Sequence, residues 1–593
     1  MNTRTRRLSV TTGLCGTVAI LVGLTLGAAA TGGSTIRAAA PQALAHTRPL
    51  RAAILPQRPC GALMQTGSWP MPGVAPGVTD FSAIPGAPTR VVSATVVAAT
   101  AQSPAYCDVQ GYVAPQIHFE LGLPTTTWQG RYLQNGCGGF CGTVYPPLFP
   151  PCATQPGGNF AVARTDDGHT SASPGGFDGL WARDDAQLRI DYGYRAAHVL
   201  AVAAKALITA YYGAAPRHSY FAGCSDGGRE ALMEAQRYPA DFDGIIAGGP
   251  ASVFAPLMGE LLPWQADVNT DARGREILTA AKIPVLHRAV IAACDANDGV
   301  RDGQIGDPRA CHFDPGTLRC AAGVDRPSCL TSAQVAVVRK LYAGPVDAQG
   351  RHLYPGGEPR GSELAWVGWL IKPPAGVPAW FPTAAQQGGD NYLEDMAFPV
   401  GQTGLASRGW RFTVAGFNQL RAEGHIYNAT AADLRAFRAR GGKLIIWHGW
   451  ADPNISPIGT LAYYQAVQDR LGGLAATQRF ARLFMFPSVY HCVGGFGPDQ
   501  FDLLTPIVRW VEQGAAPTRI IATQLQAEPN PYWPSPSTGG KVVRTRPVFP
   551  YPMVARYSGS GSVTSAASFV GVMPAAPPND HIQWVGNDLF TTP

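Results

Sequence analysis

Ser225, Asp452 and His491 are the residues whose types and spacing could together do chemistry. Ser225 lies in Gly223-Cys224-Ser225-Asp226-Gly227-Gly228, a G-x-S-x-G pattern. Its glycines allow a sharp turn around the nucleophile, and a helix starting there sets its N-terminus beside developing negative charge. A serine hydroxyl is a weak nucleophile near neutral pH, so it needs a base, and the base needs an orienting carboxylate. Two later loops supply them in the order acid then histidine: His448-Gly449-Trp450-Ala451-Asp452-Pro453 and Ser488-Val489-Tyr490-His491-Cys492. Asp452 before Pro453 also suits a plain turn. His448 is a rival base, but it precedes the acid and breaks the order. The chemistry is acyl transfer, with ester hydrolysis as its simplest form.

These residues need rigid supports, and the flanking patterns provide them. Apolar Tyr220-Phe221-Ala222 precedes the serine turn, and a helix-forming run follows it as far as Tyr238-Pro239. Leu444-Ile445-Ile446-Trp447 reads as a strand before the acid loop, and Leu483 to Phe486 as a strand before the histidine loop. Over 191–212, Val199, Val202, Ala203, Ala206 and Ile208 fall near helical spacing, with Gly213 at the expected stop. His198 in this helix reads as a packed, hydrogen-bonded residue. A helix carrying Phe501, Leu504, Val508 and Val511 ends before Gly514. Strands alternating with helices predict an α/β-hydrolase core with a mostly parallel sheet, its first part over 45–253 and its second part with a C-terminal tail over 432–593. Between them, 254–431 is rich in Pro, Gly, Trp and Cys with weak periodicity, and is expected to be an inserted lid domain. The last fifty residues are expected to wrap loosely.

Composition bounds the alternatives. The chain has 593 residues, 46% hydrophobic and 15% charged, with a formal net charge of +6. That is globular, and the scattered basic residues imply neither nucleic acid nor an anionic membrane surface as partner. A small-molecule or polymer-linked ester remains the expected substrate. Arg4, Arg6 and Arg7 precede an apolar run through Val18, Ile20, Leu21, Val22, Leu24 and Leu26 that meets Ala28, Ala29 and Ala30. Residues 1–30 thus read as a signal peptide to a secreted or periplasmic destination, with a membrane anchor as the rival and no stable insertion after removal. Without Cys15, 11 of the 12 cysteines remain, which suits an oxidising compartment and predicts an unpaired thiol, sought in the group Cys137, Cys141 and Cys152. Cys224 adjoins the nucleophile and Cys492 the base. A bond between them would tie the two loops together; a buried free thiol at Cys224 is the alternative.

With these residues in view, the sequence resembles the tannase and feruloyl esterase family. The resemblance rests on the Cys-Ser, Asp and His-Cys arrangement, Trp128-Gln129-Gly130-Arg131-Tyr132, Gly136-Cys137-Gly138-Gly139, and the run from Gly223 through Asp241-Phe242-Asp243-Gly244. It implies a Cys224–Cys492 disulfide, a lid, and an oxyanion hole from the Gly138 and Asp226 amides, which suits a developing oxyanion. It also implies disulfides Cys60–Cys107, Cys294–Cys311 and Cys320–Cys329. Hard oxygen ligands crowd the stretch from Asp295 to Gln304, as calcium requires, although the glycine placement is not that of an EF-hand and a solvated acidic turn is the alternative. There the resemblance implies a structural Ca2+ held by Asp295, Asp298 and Asp302 side chains with Val300 and Gln304 carbonyls.

Two departures bear on the tail and the substrate. The C-terminal disulfide common in the family has no cysteines here, and Ile455 stands where the related terephthalate monoester hydrolase has an aromatic residue. The expected activity is hydrolysis of phenolic or aromatic acid esters of feruloyl or galloyl type, with acyl recognition in the stretch Trp380 to Trp410. Aliphatic or synthetic polyester fragments are an alternative substrate class, and a non-catalytic ligand-binding protein is the alternative of another kind.

Overall fold

The computed structural model describes residues 52–64, 80–150, 152, 155–171, 176–375, 384–402, 404–527, 530–534, 540–574 and 579–591. The signal segment, Cys15 and the start of the core at residue 45 lie outside them. Nine strands form one sheet: β1 (Thr89–Val97), β2 (Tyr106–Val113), β3 (Ile117–Pro124), β4 (Arg131–Asn135), β5 (Phe160–Thr165), β6 (His218–Cys224), β7 (Gly244–Gly248), β8 (Lys443–Gly449) and β9 (Ala481–Phe486). Their order is β1-β2-β3-β5-β4-β6-β7-β8-β9. The β1, β2, β3 and β5 pairings are antiparallel, and those from β5 through β4 to β9 are parallel. This is the mostly parallel sheet of an α/β hydrolase.

Parallel strands must be covered on both faces, and the apolar runs serve that need. Successive side chains alternate, so Phe221, Ile245, Leu444 and Ile446 enter one core while Tyr220, Ile246, Ile445 and Trp447 enter the other. The first face receives the helix Ala196–Tyr212, which ends where Gly213 takes φ 68° and donates its amide to the Thr209 carbonyl. This helix begins later than the periodicity over 191–212 suggests, because Asp191–Arg195 forms a π-helical turn. His198 bonds Asp241 and stacks on Tyr238 at 3.8 Å, a structural role as expected.

Between β7 and β8 the described chain adds no strand to the main sheet. It is more helical than its texture suggests, with helices at Leu262–Val268, Ile283–Cys294, Ser332–Ala343 and Ala384–Asp395. These are short, so each shows too few turns for a clear period. A capping box at Thr331 and Gln334 starts the third. After β9 come two antiparallel pairs, β10 (Ile520–Leu525) with β11 (Val542–Val548) and β12 (Val554–Tyr557) with β13 (Phe569–Val572).

The tail departs from the loose wrapping expected of its composition. Trp584 and Phe590 are buried, and Asp580 accepts hydrogen bonds from Tyr551 and Arg309 at 2.7 Å each. A few aromatic and charged anchors outweigh the surrounding Gly, Pro and Ser.

Disulfides join Cys60 to Cys107, Cys224 to Cys492, Cys294 to Cys311 and Cys320 to Cys329. Cys137 bonds Cys141. Cys152 is disulfide-bonded as well, and no free cysteine stands among the described residues. No helix of the described residues is long and apolar enough to cross a membrane.

Candidate active site

The sharp turn predicted at Ser225 is present at the end of β6. Ser225 takes φ 67° and ψ −121°, and the helix Asp226–Arg237 starts at the next residue. Such a conformation costs a non-glycine residue about 1–3 kcal/mol and persists only where its surroundings enforce it. Here the Ser225 amide donates to the Gly248 carbonyl at 2.9 Å, and the Ser225 carbonyl accepts from Gly228, Arg229 and Ala251 at 3.1 Å each. The glycines are steric necessities. A Cβ on Gly223 would stand 2.3 Å from the Gly227 carbonyl oxygen, and one on Gly228 would stand 2.3 Å from that of Gly248.

Asp452 lies in the loop after β8 and His491 in the loop after β9. His491 Nδ1 is 2.7 Å from Asp452 Oδ2, so this nitrogen carries the proton and Nε2 is left available. Asp452 Oδ1 accepts from the Asn454 and Ile455 amides at 2.8 and 3.0 Å. Burial alone would raise the Asp452 carboxyl, but the charge and hydrogen bonds of His491 and His448 outweigh it and hold the group well below the usual carboxylate range. The Cys224–Cys492 bond sets the nucleophile turn against the histidine loop, with Cα atoms 5.9 Å apart. A Cβ on Gly249 would lie 3.5 Å from both Asp452 Oδ2 and Cys224 Sγ and 3.7 Å from His491 Cε1. Acid, base and tether therefore converge on one spot. The Ser225 hydroxyl makes no hydrogen bond among the described residues; such contacts commonly tighten only with substrate bound.

The Gly138 and Asp226 amides also donate no hydrogen bond among the described residues, which leaves both for a ligand oxygen. The loop bearing Gly138 is moored to the first turn of the serine helix, since the Cys137 carbonyl accepts from the Gly227 amide at 2.7 Å. Glu230 Oε1 accepts from the Cys137 amide at 3.3 Å. Burial, reinforced by the Asp226 charge, pushes Glu230 up to about 7.

Sequence reasoning passed over Arg229. It is fully buried, bonds both Asp226 oxygens at 2.5 and 3.0 Å, and donates to the Gly193 and Tyr192 carbonyls at 2.6 and 3.0 Å. Tyr192 adds its hydroxyl to Asp226 at 3.0 Å. The signal was the three-residue spacing of Asp226 and Arg229 on one helix face. The rival base His448 is fully buried and bonds Asp452 itself.

In the loop from Asp295 to Gln304, Asp295 Oδ1 accepts from the Asp302, Gly303 and Gln304 amides at 3.0, 2.9 and 3.1 Å. Burial, with repulsion from Asp302 and Asp295, pushes Asp298 up to about 6. Arg544 and Arg546 pair with Asp302. The Asp295, Asp298 and Asp302 carboxylates do not all meet within 4.8 Å of one another, so a hard divalent cation would have to draw Asp302 from its arginines. The same loop reaches the histidine loop, where Gln304 Nε2 donates to the Phe496 carbonyl and the Ile305 amide to Ser488 Oγ, at 3.1 Å each. Of the stretch expected to recognise the acyl group, residues 380–383, including Trp380, and residue 403 lie outside the described structure.

Residues 97–572 match the family model described as tannase and feruloyl esterase. The chain belongs to that family. This esterase is 36% identical to an uncharacterized esterase of Xanthomonas campestris, over 86% of its own length and 93% of that protein. It is 33% identical to mono(2-hydroxyethyl) terephthalate hydrolase of Piscinibacter sakaiensis, over 81% and 87% respectively. The crystal structure of feruloyl esterase B from Aspergillus oryzae matches it with a TM-score of 0.68 at 28% identity, covering 82% of the esterase and 97% of that chain. The esterase is accordingly a carboxylic ester hydrolase of the serine type.

Proposed function

We propose that Ser225, His491 and Asp452 are a catalytic triad, and that the enzyme is secreted or periplasmic and cleaves esters of phenolic or other aromatic acids. The observation that carries the triad is the strained turn at Ser225, bonded through Cys224 to the loop in which Asp452 holds His491 Nδ1. Ser225 Oγ attacks the ester carbonyl while His491 Nε2 takes its proton. Asp452 keeps the Nδ1–H tautomer and stabilises the imidazolium. The Gly138 and Asp226 amides receive the oxyanion, a contribution for which losing one donor typically costs ~10²–10³ in rate. The alcohol leaves with the proton from His491, and water, activated by the same base, releases the acid.

The aromatic acyl group is supported by the family description and by relatives named for feruloyl and terephthalate esters. Ile455, buried three places beyond Asp452, is the reason that terephthalate monoesters are not assigned. Residues 254–431 would form the lid and residues 1–30 the signal. Calcium, held by Asp295, Asp298 and Asp302 with the Val300 and Gln304 carbonyls, would supply charge neutralisation that stiffens the lid, and no chemical step uses it.

The test is a panel of aryl, hydroxycinnamate and short aliphatic esters with product identification, run on the wild type and Ser225→Ala. Hydroxycinnamate turnover abolished by the substitution is expected. A fully active Ser225→Ala enzyme overturns the triad, and a preference for aliphatic esters overturns the substrate class.

A further inference from the structure

Asp452 is held from a second side by His448, a residue the triad does not use. His448 closes β8, and its side chain is 0% exposed. Nε2 lies 3.1 Å from Asp452 Oδ2 and 3.0 Å from the Ile455 carbonyl oxygen. Both are acceptors, so Nε2 carries a hydrogen. Nδ1 lies 2.8 Å from the Thr460 hydroxyl, in the first turn of the buried helix Pro457–Leu471. With Nε2–H turned to the carboxylate, Nδ1 accepts a hydrogen bond from the Thr460 hydroxyl. The same Oδ2 receives His491 Nδ1–H, while Oδ1 receives two amides. All four donors around this buried charge are protein groups.

We propose that His448, oriented by Thr460, is a positioning residue for ester hydrolysis that fixes the Asp452 carboxylate so that it can hold the productive tautomer of His491. The inference rests on the triad reading. The two amides anchor only Oδ1, and without His448 the oxygen facing His491 has no second donor. The carboxylate is then freer to rotate, and more of its charge acts on the His491 proton. Two effects follow: slower acyl transfer through misplacement of the base, and a base that holds its proton more tightly. Tyr354 and Glu358, the other titratable groups interacting with Asp452, are buried, and burial raises both.

The experiment measures kcat and KM against pH on one aryl ester for the wild type, His448→Phe, His448→Gln and Thr460→Val, with folding checked by circular dichroism. His448→Phe keeps a ring and loses the donor. It should lower kcat about 10- to 100-fold, the scale of a small misplacement at a reacting group, leave KM within about twofold by the same argument, and move the acid limb of the profile to higher pH. His448→Gln can still donate and should recover most of the loss. Thr460→Val should fall between. A folded His448→Phe enzyme with wild-type kcat and acid limb overturns the proposal. So does one whose kcat falls with an unmoved limb and no rescue by Gln, which would be a structural effect alone. If His448→Phe does not fold, a wild-type profile for Thr460→Val is the overturning result. Failure of a fluorophosphonate probe to label wild-type Ser225 marks failure of the triad instead.

Discussion

Cys224 and Cys492 are 268 residues apart in sequence and 5.9 Å apart between Cα atoms. One neighbours Ser225 and the other His491, and both Ser225 and Cys492 hold positive φ, 67° and 62°. The bond stabilises by up to roughly 5 kcal/mol in the chain-entropy model, and it also aligns two strained turns. Cleaving it, by mild reduction or by a Cys224→Ala, Cys492→Ala double substitution, should lower kcat before far-UV circular dichroism changes. Full activity after verified cleavage would remove the bond from catalysis.

Arg229 should matter for stability and rate together. Removing it leaves the Asp226 carboxylate buried without its ion pair, a change that typically costs ~3–5 kcal/mol. Arg229→Met should therefore shift the urea midpoint strongly downward and lower kcat through the Asp226 amide proposed to receive the oxyanion. Tyr192→Phe removes the hydroxyl that reaches both Asp226 and the Gly139 carbonyl and should cost about 1–2 kcal/mol. An Arg229→Met enzyme as stable as the wild type would count against this clamp.

Asp499 provides a pH test of the histidine loop. It accepts from the Gly494 amide at 2.7 Å, yet burial pushes it from 3.8 up to about 6. A carboxyl raised in the folded state binds protons more tightly there than when unfolded. Its stabilising contribution is thus complete below about 3.8 and is lost as pH rises through about 6. Asp499→Asn keeps an acceptor without the titration. Relative to that variant, the wild-type Tm should fall by about 1–3 °C between acidic and neutral pH. Parallel Tm curves would rule the effect out.

Chelation should reveal the calcium loop through stability. On the proposed calcium site, removing the cation leaves the buried Asp298 facing the charges of Asp302 and Asp295, so a tight chelator should lower Tm, and added calcium should restore it. Initial rates at low temperature should change less, since no step of the proposed chemistry uses the ion. An unchanged Tm under verified chelation would count against the site.

The order serine, acid, histidine and the strands that precede each were legible from local pattern, because an apolar run followed by a glycine-rich or proline-bounded loop depends on neighbouring residues alone. The turn at Ser225 was legible for the same reason, since Gly223 and Gly228 are demanded by contacts close in the chain or on the adjoining strand. The insertion's helices were not, because short helices show few turns of periodicity. The C-terminal anchors Asp580, Trp584 and Phe590 were hidden by the Gly, Pro and Ser around them. His448 was legible as a histidine near the acid, but its role was not: that depends on Thr460, 12 residues along, and on which imidazole nitrogen meets Asp452. The donors around a buried carboxylate are set by how β8, its loop and the helix Pro457–Leu471 pack, and packing joins residues that spacing along the chain leaves apart.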